Sequence, residues 1–407
     1  MTSPTAAPEA PFFPAPRECP YDTPPSYTAF REAGGPHKVT IWDGSRHWLV
    51  TRYEDIRAVL ASPSFSVDVR RPGFPLARPG QREQEAGLFV RLDGTEHTRM
   101  RQMLSREFGV RHTRAMHDDI LRVADELIDD MLAKGGPADL IRDFALPLPS
   151  RVICLILGVP YEDHAVFYKH ADTVVNLDVS HEEREKAIEE ASAYYAELIE
   201  RKRAEPGDDM ISRLLADHTG PDGFAPDHLP VLVGVMVGSG FETTSSQLGL
   251  GALTMLLHPD QRQKLCEQPE LAASTVEEML RYWSITATDP RRVAVEDIEI
   301  GGQLIRAGEG VLLSLISGNR DPRAFGTADG ECPADRLDIT RGSRRHLAFG
   351  FGAHQCLGQN LARAELRIAW PRLFERIPDL RLAVPEGELV FKNNSTVYGL
   401  KSLPVTW

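Results

Sequence analysis

Apolar residues recur at helical spacing through most of the chain, and this rhythm predicts a mainly α-helical protein. Residues 113–134, 139–158, 163–177, 182–203 and 273–282 each carry the pattern. A longer run covers residues 227–258, on the order of 45 Å of helix. It is apolar on nearly all faces up to Phe241, which predicts burial. Pro230 falls in its first turn and Pro259 ends it. Strand-like stretches are short. Residues 38–41 and 48–51 flank Asp43-Gly44 and predict a hairpin, followed by a short helix over Tyr53–Ala61. Residues 292–300 and 311–316 predict strands, and residues 380–404 are β-like with a tight turn at 393–397. Pro147 and Pro149 interrupt their helical pattern. Residues 72–84 are rich in Pro, Gly and Arg and predict irregular chain, and residues 207–217 with Asp222-Gly223 predict polar turns. Eight prolines within residues 1–25 predict an extended surface arm. The remainder, 26–407, reads as one domain.

Composition narrows the class. The 407 residues are 42% hydrophobic and 26% charged, as in a globular protein. A net charge of −13 argues against nucleic acid as a partner. The five cysteines are scattered and odd in number, which suggests no disulfide framework and fits a reducing cytoplasm. The most apolar stretch, 229–241, is too short for a membrane span and holds three glycines. A monomer without a membrane anchor is expected.

The candidate chemistry centres on residues 346–363, HLAFGFGAHQCLGQNLAR. Gly350 and Gly352 allow a sharp turn and close approach of a bulky neighbour. The helix after Cys356 points its N-terminus at the sulfur, which favours a thiolate. Such a thiolate suits the axial position of a heme iron. Two plainer readings stand beside it: a buried structural cysteine, or a zinc pair of His354 and Cys356 lacking nearby partners. The pattern of Phe349, Gly350, Gly352, His354, Cys356 and Gly358 resembles the heme-binding signature of the cytochrome P450 superfamily.

Residues 89–114 hold six arginines against three acids, a basic patch in an acidic protein. His97 and Arg101 share one helix face. The sequence H-T-R-x-R resembles the family motif that binds the two heme propionates, and Arg292 matches a second propionate arginine. Arg99, Arg106, Arg111 and Arg114 are either a solvated face or a dock for an acidic ferredoxin.

Within the long helix stand Ser239, Gly240, Phe241, Glu242, Thr243 and Thr244. Gly240 is costly in a helix interior, and a flat ring pressed on that face would explain it. Thr243 can bond back to the Ser239 carbonyl and open a notch. Burial should raise the Glu242 pKa. The run resembles the family's oxygen-activation motif, with Ser239 in place of a small apolar residue.

The resemblance extends over almost the whole chain and is closest to soluble bacterial enzymes acting on antibiotic-like and drug-like molecules. It implies a triangular prism of helices with a small β-rich side around a buried heme b. It implies that Cys356 ligates iron and that His97, Arg101, Arg292, His354, Phe349, Gly350, Gly358 and Gly240 surround the cofactor. Glu242 and Thr243 would deliver protons. Glu278 and Arg281 would form a buried ion pair under the cysteine loop, with Arg336 as its third member. The pocket would take in Phe89, Val174, Met236, Val237, Ile285, Thr286, Ala287, Thr288, Thr396 and Val397, with residues 174–181 as its mobile roof. Residues 326–332 make their region longer than the family leads one to expect. The implied activity is insertion of one oxygen atom of O2 into a C–H bond of a hydrophobic small molecule, by hydroxylation or epoxidation. Electrons would come from NAD(P)H through a reductase and ferredoxin. A heme-thiolate nitric-oxide reductase, a peroxide-using enzyme and a non-catalytic heme sensor are the alternatives; the Glu242-Thr243 pair argues against the first and the last, and a peroxide-using enzyme would show Arg-Pro at those positions.

Overall fold

The computed structural model describes residues 10–217, 228–326 and 332–407. Helices dominate, as the apolar spacing predicts, and one large apolar cluster lies between them. Its centre is the packing of Glu242–Leu257 against Gln359–Arg376. Gly251 makes that approach possible. A Cβ there would stand 2.1 Å from the Trp370 ring. The Trp370 indole in turn donates to the Leu248 carbonyl at 3.1 Å, so its one polar group is satisfied inside the core.

The β structure is a small side region. Five strands run in the order His37–Thr40, Arg46–Val50, Gly310–Leu313, Arg291–Ala294, Phe65–Ser66. The first two form the expected hairpin, with His37 opposite Leu49. Gly44 takes its turn at φ 81°, where glycine is favoured. A second sheet joins Ala138–Asp139, Pro404–Thr406 and Arg381–Leu382, and a third pairs Ile298–Ile300 with Gln303–Ile305.

Several elements differ from their sequence reading. The long helix is two, His228–Gly240 and Glu242–Leu257, parted at Phe241. Three hydroxyls compete for its carbonyls. Ser239 donates to the Val235 oxygen at 2.5 Å, Thr243 to that of Ser239 at 2.9 Å and Thr244 to that of Gly240 at 3.3 Å. The 113–134 helix likewise divides at Met116 into Val110–Ala115 and His117–Lys134. Pro147 and Pro149 do not break a helix. They open the helix Pro147–Leu157, where missing N–H groups cost nothing.

Part of the expected polar turn is the helix Met210–Asp217. Asp209 accepts from the Ser212 N–H at 2.8 Å, and Met210, Ile211 and Leu214 are buried. Asp222 and Gly223 lie outside the described residues. The strand expected at 311–316 ends at Leu313, because Ser314 caps a helix over Leu315–Asn319. In the 72–84 stretch a helix begins at Gln81. Residues 380–404 pair mostly through isolated bridges such as Phe391 with Leu400. The arm from residue 10 onward is held, with Phe13 N–H bonded to the Thr40 carbonyl at 2.8 Å. Residues 327–331, most of the long region, lie outside the described residues.

Arg281 ties these parts together. It is wholly buried and donates to both Glu278 oxygens at 2.8 Å and to the carbonyls of Asn319, Ala334 and Arg336. The second guanidinium on Glu278 is that of Arg341, at 3.3 Å. The expectation for Arg336 is thus corrected, since it serves the network through its backbone oxygen. Residues 332–341 curl so that the later arginine, not the earlier, turns inward. Glu278→Ala leaves the Arg281 charge buried without its partner. We expect a loss of about 3–5 kcal/mol in urea unfolding, and a loss below about 1 kcal/mol would contradict the hub role.

Candidate active site

The cysteine loop is fixed before its helix begins. Gly350 and Gly352 have φ of 69° and 74°. At Gly352 a Cβ would also stand 2.6 Å from the Leu60 carbonyl, so no larger residue fits. Cys356 N–H bonds to the Phe349 carbonyl at 2.8 Å. From beneath, Glu277 gathers His346 at 3.0 Å, Arg363 at 2.8 Å and Arg367 at 3.4 Å. Burial pushes the Glu277 pKa up, but the hydrogen bonds of His346 and Arg363 hold it down to about 2. Arg363 also lies over the Phe349 ring at 4.6 Å. Leu347 N–H is bonded to the Asn319 side chain at 2.7 Å.

The sulfur faces a cavity of about 950 Å³, part of it open to solvent. Ser239, Gly240 and Thr243 of the divided helix line the same cavity, as do Phe89, Met236, His97, Arg101, Phe349, His354 and Gly358. Burial pushes the Cys356 thiol up; the N–H groups of Gly358 and Gln359, with Arg101 and Arg363, oppose it. A bound metal ion would add to that opposing side, since it deprotonates a coordinating thiol.

One end of the cavity is cationic. The His97 ring stacks on His354 at 4.0 Å between centroids. Arg101 donates to the Gln355 carbonyl at 2.6 Å, and Arg292 to that of Arg291 at 2.8 Å. Among the described residues neither guanidinium has a carboxylate bonded to it. Burial, then His97, Arg292, Arg101 and Arg91, drive the His354 pKa down to about 3. Burial and Arg91 lower that of Arg292 to about 10. Such uncompensated charge calls for an anionic partner. A planar group with two carboxylates meets that need; Gly240 lines the cavity, and a Cβ there would stand 3.3 Å from the Ile153 side chain.

At the other side Glu242 is buried and paired with Lys392 from the C-terminal segment. Burial raises its pKa, Lys392 lowers it and Asp172 adds a smaller rise. Glu365, two helical turns beyond Cys356, is a buried carboxyl with one oxygen unpartnered, and burial raises it well above the usual range. Lys392, Arg341, Glu277 and Glu365 escaped the sequence reading. Lys392 is 150 residues from its partner, and no local spacing marks such a contact.

The expected pocket residues divide. Phe89 and Met236 line the inner cavity, while Val237 is packed in the core. The others form a second cluster. Tyr398 N–H bonds to the Ile285 carbonyl at 2.7 Å and Ala287 N–H to that of Thr396 at 2.9 Å, and Thr286 bridges Val397. Thr396 N–H reaches the Val175 carbonyl at 2.9 Å, which brings half-buried Val174 nearby. Thr286 and Thr288 keep buried hydroxyls without partners. Ala287 and Thr288 face an outer groove instead. Arg99, Arg111 and Arg114 are exposed, and Arg106 is paired with Asp217 at 3.2 Å. Among the described residues no three His, Cys, Asp or Glu side chains converge on a metal site, so the zinc reading of His354 and Cys356 finds no further ligands. No helix among them is long and apolar enough to cross a membrane.

The family model for cytochrome P450 matches residues 22–272 and 266–388. The chain belongs to the cytochrome P450 family. It is 44% identical to cytochrome P450-SU2 of Streptomyces griseolus, over 99% of this chain and 98% of that protein. The solved structure of cytochrome P450 MoxA from Nonomuraea recticatena is similar at TM-score 0.89 and 43% identity, covering 97% of this chain and 98% of that one. That of the mycinamicin VIII C21 methyl hydroxylase MycCI from Micromonospora griseorubida, bound to mycinamicin VIII, reaches TM-score 0.90 at 35% identity, covering 98% and 100%. As a member of the P450 family the chain is an oxidoreductase, and the family's heme-iron with cysteine ligation fits the cavity described.

The Glu242–Lys392 pair has a testable consequence. In Lys392→Met the carboxyl stays buried without its cation, so it should be protonated at neutral pH. We expect a carboxylic-acid C=O band in the infrared difference spectrum, absent in Lys392→Met/Glu242→Gln. An ionised Glu242 in Lys392→Met would contradict the pairing.

Proposed function

We propose that this P450 is a heme b monooxygenase that hydroxylates, or epoxidises, a hydrophobic natural product of macrolide, polyketide or steroid-like type. The observation that carries this is the shared cavity: Cys356 and Thr243 line one space together with Arg101, which among the described residues has no carboxylate bonded to it. The mycinamicin VIII bound to the similar hydroxylase supports the substrate type. Residues 26–407 act as one domain in a cytoplasmic monomer, with residues 1–25 as an arm.

When bound between Cys356 and the divided helix, the heme supplies the oxidising power. Cys356 would ligate its iron, and His97, Arg101 and Arg292 would hold its carboxylates. His354, Phe349, Gly350 and Gly358 shape the proximal wall, and Gly240 leaves room opposite. Thr243 donates its proton to the Ser239 carbonyl, so its oxygen is free to accept a hydrogen bond in the cavity. Glu242, joined to Lys392 near the surface, moves protons from solvent toward Thr243. Phe89 and Met236 offer apolar contacts to substrate, with Val174, Val237, Ile285, Thr286, Ala287, Thr288, Thr396 and Val397 completing the outer part of the pocket. Arg99, Arg106, Arg111 and Arg114 lie on the exposed face suited to an acidic ferredoxin, which brings electrons from NAD(P)H through its reductase.

Turnover with ferredoxin, its reductase, NADPH and labelled O2 should place one labelled oxygen atom in the product. Consumption of nitric oxide with NADH, and no oxygenated product, would favour the nitric-oxide reductase instead. Thr243→Ala should keep consuming NADPH while forming at least about tenfold less product, with peroxide released in its place. Tightly coupled turnover in that variant would remove Thr243 from the mechanism.

Arg106→Glu with Arg111→Glu should raise the KM for ferredoxin by about tenfold or more and flatten its salt dependence. Substrate affinity should not change. Unaltered ferredoxin kinetics would place the dock elsewhere.

A further inference from the structure

Beyond the heme cavity lies an outer groove of about 1530 Å³, part of it open to solvent. Trp42, Leu76 and Tyr398 give it apolar sides, and Arg17, Arg78 and Arg291 line it as well. Trp42 is 43% exposed, whereas Arg78 and Arg291 are only 7% and 2% exposed. The groove therefore has a loose apolar rim and two buried guanidinium groups in its wall. Ala287, Thr288 and Ser395 also reach it, so it adjoins the segments assigned above to the outer pocket.

The charges behind that wall do not balance. Glu85 holds Arg91 at 2.7 Å but Arg78 only at 3.6 Å. Asp289 holds Arg291 at 2.9 Å and Arg91 at 3.6 Å. Three guanidinium groups thus share two carboxylates. Arg184, 2% exposed, adds to the excess. Among the described residues it bonds only the carbonyls of Asn176 and Val179, and its Nε has no partner there. Arg17 lies over the Tyr398 ring at 3.8 Å and donates to the Asp22 carbonyl. Burial first, then Arg184, Arg291 and Arg91 against the pull of Glu85, lowers the Arg78 pKa to about 10. Even there it stays charged at neutral pH. A buried cation short of a counter-charge is expensive unless an anion arrives.

We propose that this outer groove receives the carboxylate end of the apolar molecule that the enzyme oxidises. A single carboxylate supplies one of the missing charges and fits the planar fork of an arginine. The apolar rim accepts the adjoining carbon skeleton. This names a substrate class for the monooxygenase and so rests on that reading.

Isothermal titration calorimetry of the heme-loaded protein with dodecanoate and with 1-dodecanol tests it. The acid should bind at least about tenfold tighter than the alcohol. Arg78→Gln should erase that preference and leave the alcohol's affinity in place, with near-ultraviolet circular dichroism confirming the fold. Trp42→Ala, at an exposed position, should weaken both ligands while keeping the preference for the acid. Equal affinities in the wild type, or an undiminished acid preference in folded Arg78→Gln, would overturn the assignment. If Arg78→Gln does not fold, the wild-type comparison with Trp42→Ala decides. Failure of ferredoxin-driven turnover would fault the monooxygenase reading, and it would leave these binding ratios unmoved.

Discussion

A cysteine sulfur kept bare at the wall of a deep cavity is the condition on which the rest of the molecule depends. Two adjacent buried glutamates secure it. Glu278 fixes Arg281, which gathers carbonyls from two separate segments, Asn319 in one and Ala334 with Arg336 in the other. Glu277 faces the other way and fixes His346 and Arg363, which brace the loop directly. Neither carboxylate is cheap to bury, and each is neutralised by more than one cation. The outcome is a loop whose glycines turn sharply and whose sulfur has nowhere to move.

The opposite wall is built by the reverse device. There the helix loses regularity, because Ser239, Thr243 and Thr244 draw on its own carbonyls. Glu242 sits at the break, where a carboxylate would be costly without Lys392. One wall is over-determined and the other is deliberately loosened, and the flat space between them is closed at one end by cations awaiting an acid. The same shortage of carboxylates recurs around Arg78, which links the inner and outer spaces by a common electrostatic logic.

Much of this was legible in the sequence where chemistry is local. The cysteine loop, the His97 and Arg101 pair and the Thr243 notch lie in short runs whose spacing carries their geometry. Arg281 and Glu278 are three apart and pair as expected. What was hidden depends on distant chain. Lys392 meets Glu242 only because the C-terminal segment folds back beneath the roof. Arg341 displaces Arg336 because the chain curls before the loop. Pro147 and Pro149 read as breakers, yet in a first turn their missing donors cost nothing. The thiolate expectation counted the helix N-terminus but not the burial of the sulfur, which works against it. The outer pocket residues were placed with the inner ones because sequence separates neither.

The central claim is that the Cys356 sulfur ligates heme iron. The carbon monoxide difference spectrum of the reduced, heme-loaded protein tests it most directly. The account predicts the absorption band from which the family takes its name, and its loss in Cys356→His with heme still bound. A band that survives that substitution, or a wild type that never shows one, would contradict it.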